Sequence, residues 1–361
     1  MKILCIHATA GAGHLKAAEA IHNGLIKHTE HQSFFVDALD YTNPIFQKLY
    51  PKSYAFIVSR LPKLWGFFFA LLDQVWIQPL MRWGRRIYNY VNTKRLREYL
   101  IAMDFDYIIS TQFLSNEVAS ALKRKGKIRA KIITVVTDFD VHRIWLSKGV
   151  DYYCVASDWT KRKILTLGVS EENVFVTGIP TDEKFSVQRD VVQLKAKLGL
   201  HKDIFTVLVA TGSFGMGPIE GLIEACQGMQ VVVICGHNKA LYERLIQKNY
   251  DLVKVNGLVD NMYEFMAVSD VMVTKPGGLS ISEALVSELP MIFFSAIPGQ
   301  ETNNVKVLKE YEIGISDKSI QEISQELKRF QSSKDVHMTA LKKTKRLARP
   351  NAVNDIIALI Q

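Results

Sequence analysis

Residues 271–304 read VMVTKPGGLSISEALVSELPMIFFSAIPGQETNN, and the order of residue types here decides the fold. The β-branched run from Val271 to Thr274 suits a buried strand, Pro276-Gly277-Gly278 breaks it, and Ile281, Ala284 and Leu285 then recur at helical spacing. A strand thus enters a helix through a glycine turn. Ser280 or Ser282 can cap that helix, and the N–H groups at its start seat a phosphate or another anion. Glu283 is expected in the first turn, where a carboxylate is favoured and can also reach a sugar hydroxyl. The next strand, Pro290 to Ser295, ends in Pro298-Gly299-Gln300-Glu301, which adds polar groups to the same carboxyl edge. Ligands of open α/β sheets bind at that edge.

Lys275-Pro276-Gly277-Gly278, Ser282-Glu283-Ala284-Leu285 and Pro298-Gly299-Gln300-Glu301, in that order, resemble the nucleotide-sugar half of the family 28 glycosyltransferases. Within that family the likeness is to the diacylglycerol sugar transferases, bacterial processive glucosyltransferases and plant monogalactosyldiacylglycerol synthases. One glycine turn is common in α/β proteins; three motifs at these separations carry the resemblance. It implies an α/β protein of the GT-B arrangement, two Rossmann-like doubly wound domains facing a cleft.

Length agrees with two domains, since 361 residues exceed one typical core and suit two of roughly 150–200 residues. With 48% hydrophobic and 22% charged residues the chain is expected to be globular, and a net charge of +9 favours an acidic partner such as nucleic acid, anionic lipid or a phosphorylated substrate. Cys5, Cys154, Cys226 and Cys235 are far apart and form no C-x-x-C pair, as expected of buried free thiols in a reducing cytosol. Glycines and His14 interrupt the short apolar start before a signal peptide is complete, and Asp73-Gln74 stops the run from Leu64 to Leu72 short of the ~18 residues a spanning helix needs.

Lys2 to Thr9 reads as a strand, followed by Ala10-Gly11-Ala12-Gly13-His14 and a helix carrying Ala17, Ala18, Ile21 and Leu25. The dinucleotide fingerprint is incomplete because Lys16 stands where a third small residue is wanted. His14 is either a polar residue near a helix start or an imidazole at the sheet edge, kept neutral by the helix dipole and able to act as a base. The resemblance implies the second, with His14 as general base for the acceptor hydroxyl.

Residues 41–97 depart from α/β alternation. Lys48, Arg60, Arg82, Arg85, Arg86 and Arg95 are among ten cations there, interleaved with aromatics that include Trp65, Phe68, Trp76, Trp83 and Tyr88. A buried hairpin explains the aromatics but not the cations, and runs such as Trp65 to Leu72 exceed what base stacking in a nucleic-acid groove needs. An interfacial segment explains both, since aromatics settle at headgroup level and each basic side chain near an anionic surface adds about 1 kcal/mol. No nucleic-acid partner is expected. The resemblance implies that this insert docks on anionic membrane lipids and admits diacylglycerol, with the enzyme held peripherally at the cytoplasmic face of the membrane.

Val136-Thr137-Asp138, His142, Trp145 and Val150-Asp151 match a further pattern of the family. It makes His142 and Trp145 candidates for acceptor contacts and Asp138 the group that orients His14; the alternative is that Asp138 caps a turn. Asp104-Phe105-Asp106 and Asp138-Phe139-Asp140 imitate a metal-binding D-x-D signature, but both lie at strand ends where aspartate turns are ordinary. No metal and no cofactor are expected.

A fresh strand, Phe205 to Ala210, runs into Thr211-Gly212-Ser213-Phe214-Gly215-Met216-Gly217, a tight turn or a loop whose amides approach a diphosphate. By resemblance Gly212, Ser213, Gly215, Gly236, Asn238, Val259, Lys275, Gly277, Gly278, Ser280, Glu283, Gln300, Glu301 and Asn304 form the donor site. Glu283 would take the ribose and Gln300 and Glu301 the hexose, while Asn303 replaces a glycine of the family pattern. The expected division is residues 1–180 with an insert at about 41–97, a linker over 181–203, a donor domain over 204–340 and a segment, 341–361, that returns to the first domain. The expected reaction is inverting transfer from UDP-glucose or UDP-galactose to diacylglycerol. Its rivals are N-acetylglucosamine transfer to a polyprenyl-linked precursor and a peripheral membrane protein that binds nucleotide without turnover.

Overall fold

In the computed structural model residues 1–9, 11–212, 215, 217–316 and 318–360 are described, the side chains of Ala55, Ser59, Pro79, Leu80 and Arg82 excepted. They form two units. The first comprises residues 1–182, 297–304 and 351–361, the second 183–296 and 305–350.

Six parallel strands make the first sheet: β1 (Lys2–His7), β2 (Gln32–Asp37), β3 (Tyr107–Ser110), β4 (Lys131–Val135), β5 (Tyr152–Val155) and β6 (Val174–Val176), in the order β2-β1-β3-β4-β5-β6. The apolar runs of β1, β3, β4 and β5 are buried on both faces, as the inner strands of a parallel sheet covered by helices require, while the edge strands β2 and β6 are largely half-buried. Ile6 pairs with Ser110 and His7 with Asp37, so the carboxyl ends of β1, β2 and β3 are level. The chain leaves β1 first to one side and later to the other, which makes the carboxyl edge between β1 and β3 a topological switch point. The helix α1 (Ala12–His28) follows β1. Gly24 on α1 admits the helix α16 (Ala352–Ile357); a Cβ there would lie 2.3 Å from Val353 Cγ1.

Between β2 and β3 the chain forms α2 (Pro44–Arg60), α3 (Pro62–Leu72), α4 (Gln78–Asn92) and α5 (Lys94–Met103). Asn43 caps α2, its side chain accepting from Ile45 N–H at 2.9 Å with Pro44 at the first helical position, and Pro62 restarts the chain as α3 after the non-helical Leu61. The helix α6 (Phe113–Arg124) follows β3, and α7 (Asp158–Thr166) follows β5. Among the described residues no single helix is long and apolar enough to cross a membrane; Pro44–Val58 and Pro62–Leu72, bent by 109°, reach that length and composition only as a pair.

The second sheet is parallel, in the order β11-β10-β7-β8-β9, from β7 (Thr206–Ala210), β8 (Gln230–Ile234), β9 (Val253–Asn256), β10 (Val271–Thr274) and β11 (Met291–Phe293). Its helices are α8 (Val191–Lys197), α9 (Ile219–Ala225), α10 (Lys239–Gln247), α11 (Met262–Ala267), α12 (Gly278–Val286), α14 (Ile320–Ser332) and α15 (Lys334–Thr344), and α13 (Gln300–Glu310) begins in the segment grouped with the first unit. Val207, Val209, Val231, Val233, Leu327 and Phe330 centre the core. The switch point lies between β7 and β10, where the glycine loop after β7 and the turn after β10 emerge side by side. All four cysteines are buried and free.

Candidate active site

His14 is the third residue of α1, at the switch point of the first sheet. Its Nδ1 lies 2.9 Å from Thr137 Oγ1, its carbonyl accepts from Thr111 Oγ1 at 2.8 Å, and its ring rests against Trp145 at 5.9 Å between centroids. Burial holds its pKa down to about 4, with the Thr111 backbone opposing and His7 adding to the shift. The neutral state expected from the helix dipole therefore has desolvation as its main cause.

Asp138 does not orient His14. Its Oδ1 accepts from Gln300 Nε2 at 2.7 Å, and burial raises its pKa to about 6 against the hydrogen bonds of Gln300 and Asn304. Thr137, one residue earlier, holds the imidazole instead. The segment carrying Gln300 is fastened throughout: Asn304 Oδ1 accepts from Phe139 N–H at 2.8 Å and Asp140 N–H at 3.3 Å, and Glu301 accepts from Ile297 N–H at 2.7 Å. Gln300, Glu301 and Asn304, assigned from sequence to the donor, thus commit side-chain atoms to holding this segment in the first unit.

His142 and Trp145 are also walls of this unit and not open acceptor contacts. His142 Nδ1 accepts from Ile144 N–H at 3.0 Å, which leaves the proton on Nε2 to be donated to Phe69 carbonyl at 2.9 Å. Both nitrogens are used. Trp145 is 3% exposed in a cluster with Val136, Val141 and Val155. Asp73 accepts from Arg143 N–H at 3.0 Å, so the end of α3 is sewn to residues 142–143.

The insert turns apolar side chains outward. Phe68 is 46% and Trp76 73% exposed, and Phe67, Trp83 and Tyr90 are exposed with them. Trp65 differs from the sequence expectation, packing inward on Tyr54 and Phe69. The side chain of Arg82 lies outside the described residues. Arg86 is exposed, whereas Arg85 Nε donates at 2.6 Å to Glu117 of α6, which also accepts from Asn89 at 3.0 Å. Arg85 therefore fastens α4 to α6.

In the second unit, α12 starts earlier than expected. Extended Gly277 is its N-cap, no side chain caps it, and neither Ser280 nor Ser282 does so. Ser282 is buried, and Glu283, the sixth helical residue, falls in the second turn. The amides of Gly278, Leu279 and Ser280 have no carbonyl within the helix to bond, because the first residues of a helix lack one. Beside this end, β7 runs into Thr211, whose buried hydroxyl has no hydrogen-bond partner among the described residues. Gly215, at φ +57°, touches the turn after β8: a Cβ would lie 2.3 Å from the Cys235 carbonyl oxygen. Asn238 accepts from Leu241 N–H at 3.0 Å and donates to the Gly215 carbonyl at 3.0 Å, so it ties that turn to the loop after β7. Gly212 and Gly236 also have positive φ, and Val259 and Lys275 are half-buried. Ser213 lies outside the described residues.

The aspartates of the two D-x-D copies serve the fold. Asp104 ends α5 with φ +44° and pairs with Arg129, Asp106 accepts from Lys2 N–H at 2.7 Å, and Asp140 binds Lys163 at 2.6 Å. Among the described residues no group of three or more His, Cys, Asp or Glu is placed to hold a metal.

Two parallel α/β units, each with a switch point at its carboxyl edge, give the chain the fold of the GT-B glycosyltransferases. Acinetobacter baumannii MurG has this fold with a TM-score of 0.63 at 12% identity, over 100% of this chain and 99% of that one. CalG4, the calicheamicin glycosyltransferase, superposes with a TM-score of 0.62 at 12% identity, over 99% and 96%. Residues 14–181 match the monogalactosyldiacylglycerol (MGDG) synthase family and residues 193–356 the glycosyltransferase family 28 C-terminal domain. A processive diacylglycerol beta-glucosyltransferase of Staphylococcus haemolyticus is 31% identical over 327 residues, covering 87% of this chain and 80% of the relative. The chain belongs to glycosyltransferase family 28, within the diacylglycerol glycosyltransferases, and is an enzyme of that class.

Proposed function

We propose that this enzyme moves a hexose from a uridine diphosphate sugar to the free hydroxyl of diacylglycerol at a membrane surface, with inversion at the anomeric carbon. The observation that carries the reading is the company His14 keeps. A neutral imidazole stands in the same unit as an outward-facing apolar and basic insert, linked to it through Trp145, His142 and Phe69. The exposed aromatics and Arg86 seat the insert among headgroups and acyl chains. His14 Nε2 takes the proton of the lipid hydroxyl as its oxygen attacks the anomeric carbon; the bond from that carbon to the diphosphate oxygen breaks, and UDP departs with the electron pair. His14 then returns the proton to solvent. The amides at the start of α12 and the Thr211 hydroxyl meet the charge that grows on the leaving diphosphate. The relative from Staphylococcus haemolyticus bears a diacylglycerol beta-glucosyltransferase name, which supports diacylglycerol as acceptor.

The test is incubation of the purified protein with dioleoylglycerol vesicles and, separately, radiolabelled UDP-glucose, UDP-galactose and UDP-N-acetylglucosamine, followed by separation of the lipids. Label is expected in a hexosyl-diacylglycerol. Absence of labelled lipid with every donor would overturn the proposal, and label from UDP-N-acetylglucosamine alone would replace the hexose.

A further inference from the structure

We propose that Thr137 is the positioning residue for His14, orienting its ring and bracing the imidazolium formed in the reaction. This rests on the reading of His14 as the general base.

A histidine base needs one nitrogen with a free lone pair and the other held. In enzymes that pair histidine with a carboxylate the held nitrogen donates to an anion, which also raises the resting pKa. Here the carboxylate next in sequence, Asp138, is turned to Gln300, and the atom beside Nδ1 is the hydroxyl oxygen of Thr137 at 2.9 Å. With the proton on Nδ1 donated to Oγ1, Nε2 keeps its lone pair for the acceptor hydroxyl. With the proton on Nε2 the hydroxyl would donate to Nδ1 and the base would be blocked, so Thr137 holds the ring in either tautomer and serves the reaction in the first. Thr137 is itself immobile, 5% exposed just beyond β4, and His14 is tied independently through its carbonyl to Thr111. Two threonines from neighbouring strand ends thus fix both the ring and the backbone of one histidine.

The choice of a neutral partner has a chemical consequence. A hydroxyl adds no charge to the resting site, so the imidazole stays unprotonated and available. When Nε2 takes the proton, the existing bond from Nδ1–H to Oγ1 becomes charge-assisted and strengthens. Stabilisation that grows only as the proton arrives acts on the transition state and leaves substrate binding unchanged.

The experiment compares Thr137→Val, Thr137→Ser and His14→Ala for turnover with dioleoylglycerol vesicles, for KM of donor and lipid, for UDP binding by calorimetry, and for thermal denaturation as a check on folding. Thr137→Val is expected to lower kcat about tenfold or more, with both KM values and UDP affinity kept. Thr137→Ser, which retains the oxygen, is expected to recover most of the loss. Where valine prevents folding, Thr137→Ala takes its place. Full kcat in the valine variant, or equal loss in valine and serine, would overturn the role of Thr137 even with His14→Ala inactive. Turnover by His14→Ala would remove the base reading itself, and Thr137's role with it.

Discussion

Gln300 Nε2 donates to Asp138 Oδ1 at 2.7 Å, and this bond joins the start of α13 to the loop after β4 inside the first unit. Burial pushes Asp138 up to about 6, so the bond meets a carboxylate above that pH and a carboxylic acid below it. The acidic limb of kcat/KM is therefore expected near pH 6, and not near 4, where His14 protonates. Asp138→Asn cannot ionise and is expected to lose the limb near 6 while keeping a decline near 4. The stability effect has the opposite sense to that of an ordinary paired carboxylate. Because the folded chain holds this proton more tightly than the unfolded one, Asp138 lowers stability progressively as pH rises from about 4 to about 6. Denaturation of the asparagine variant across that range should lack this loss; an unchanged pH profile in both measurements would remove Asp138 from the account.

Thr211 carries a buried hydroxyl without a partner among the described residues, at the end of β7. An unsatisfied group of this kind costs roughly 1–3 kcal/mol, a cost a bound phosphate oxygen would relieve. Thr211→Val should stabilise the free enzyme by about 1 kcal/mol in chemical denaturation and weaken UDP binding about tenfold. Movement of both quantities in the same direction would contradict this role.

Arg85 and Arg86 are neighbours with different work. Arg85→Ala takes the charged partner from the buried Glu117, leaving it the bond to Asn89, and should cost roughly 3 kcal/mol of stability. Arg86→Ala should leave stability within about 0.5 kcal/mol and reduce sedimentation with anionic vesicles, more so at low salt. Equal vesicle binding by wild type and Arg86→Ala would detach this residue from the membrane surface.

The parallel α/β class of both domains, the glycine turns and the departure of residues 41–97 from alternation were legible in the sequence because each rests on a local signal, β-branched runs, glycine breaks or lost alternation, whereas the strands Gln32–Asp37 and Val253–Asn256 were not read from it. The site was less legible where side chains choose partners across the fold. Nothing near Asp138 in sequence announces Gln300, 162 residues away, and a threonine beside a histidine 123 residues distant carries no local pattern. Ser280 and Ser282 offered caps, yet the helix began at Gly278 because extended Gly277 already supplies the N-cap conformation. Trp65 and Arg85 looked like their neighbours in composition, and only packing separates them from the exposed Phe68, Trp76 and Arg86. His142 was legible as a residue of interest, but its two committed nitrogens appear only in three dimensions.

The central claim is that uridine diphosphate is held in the second unit by the amides at the start of α12 and the loop after β7. Gly215 tests it most directly, since its φ of +57° and the 2.3 Å approach of the Cys235 carbonyl to a Cβ leave no room for a side chain. Titration calorimetry of UDP into the wild-type protein and Gly215→Ala is expected to give single-site heat in the first and at least a tenfold weaker isotherm in the second, ~1.4 kcal/mol of binding free energy. Absence of heat with any uridine nucleotide in the wild-type enzyme, or an alanine variant that binds as well, would contradict it.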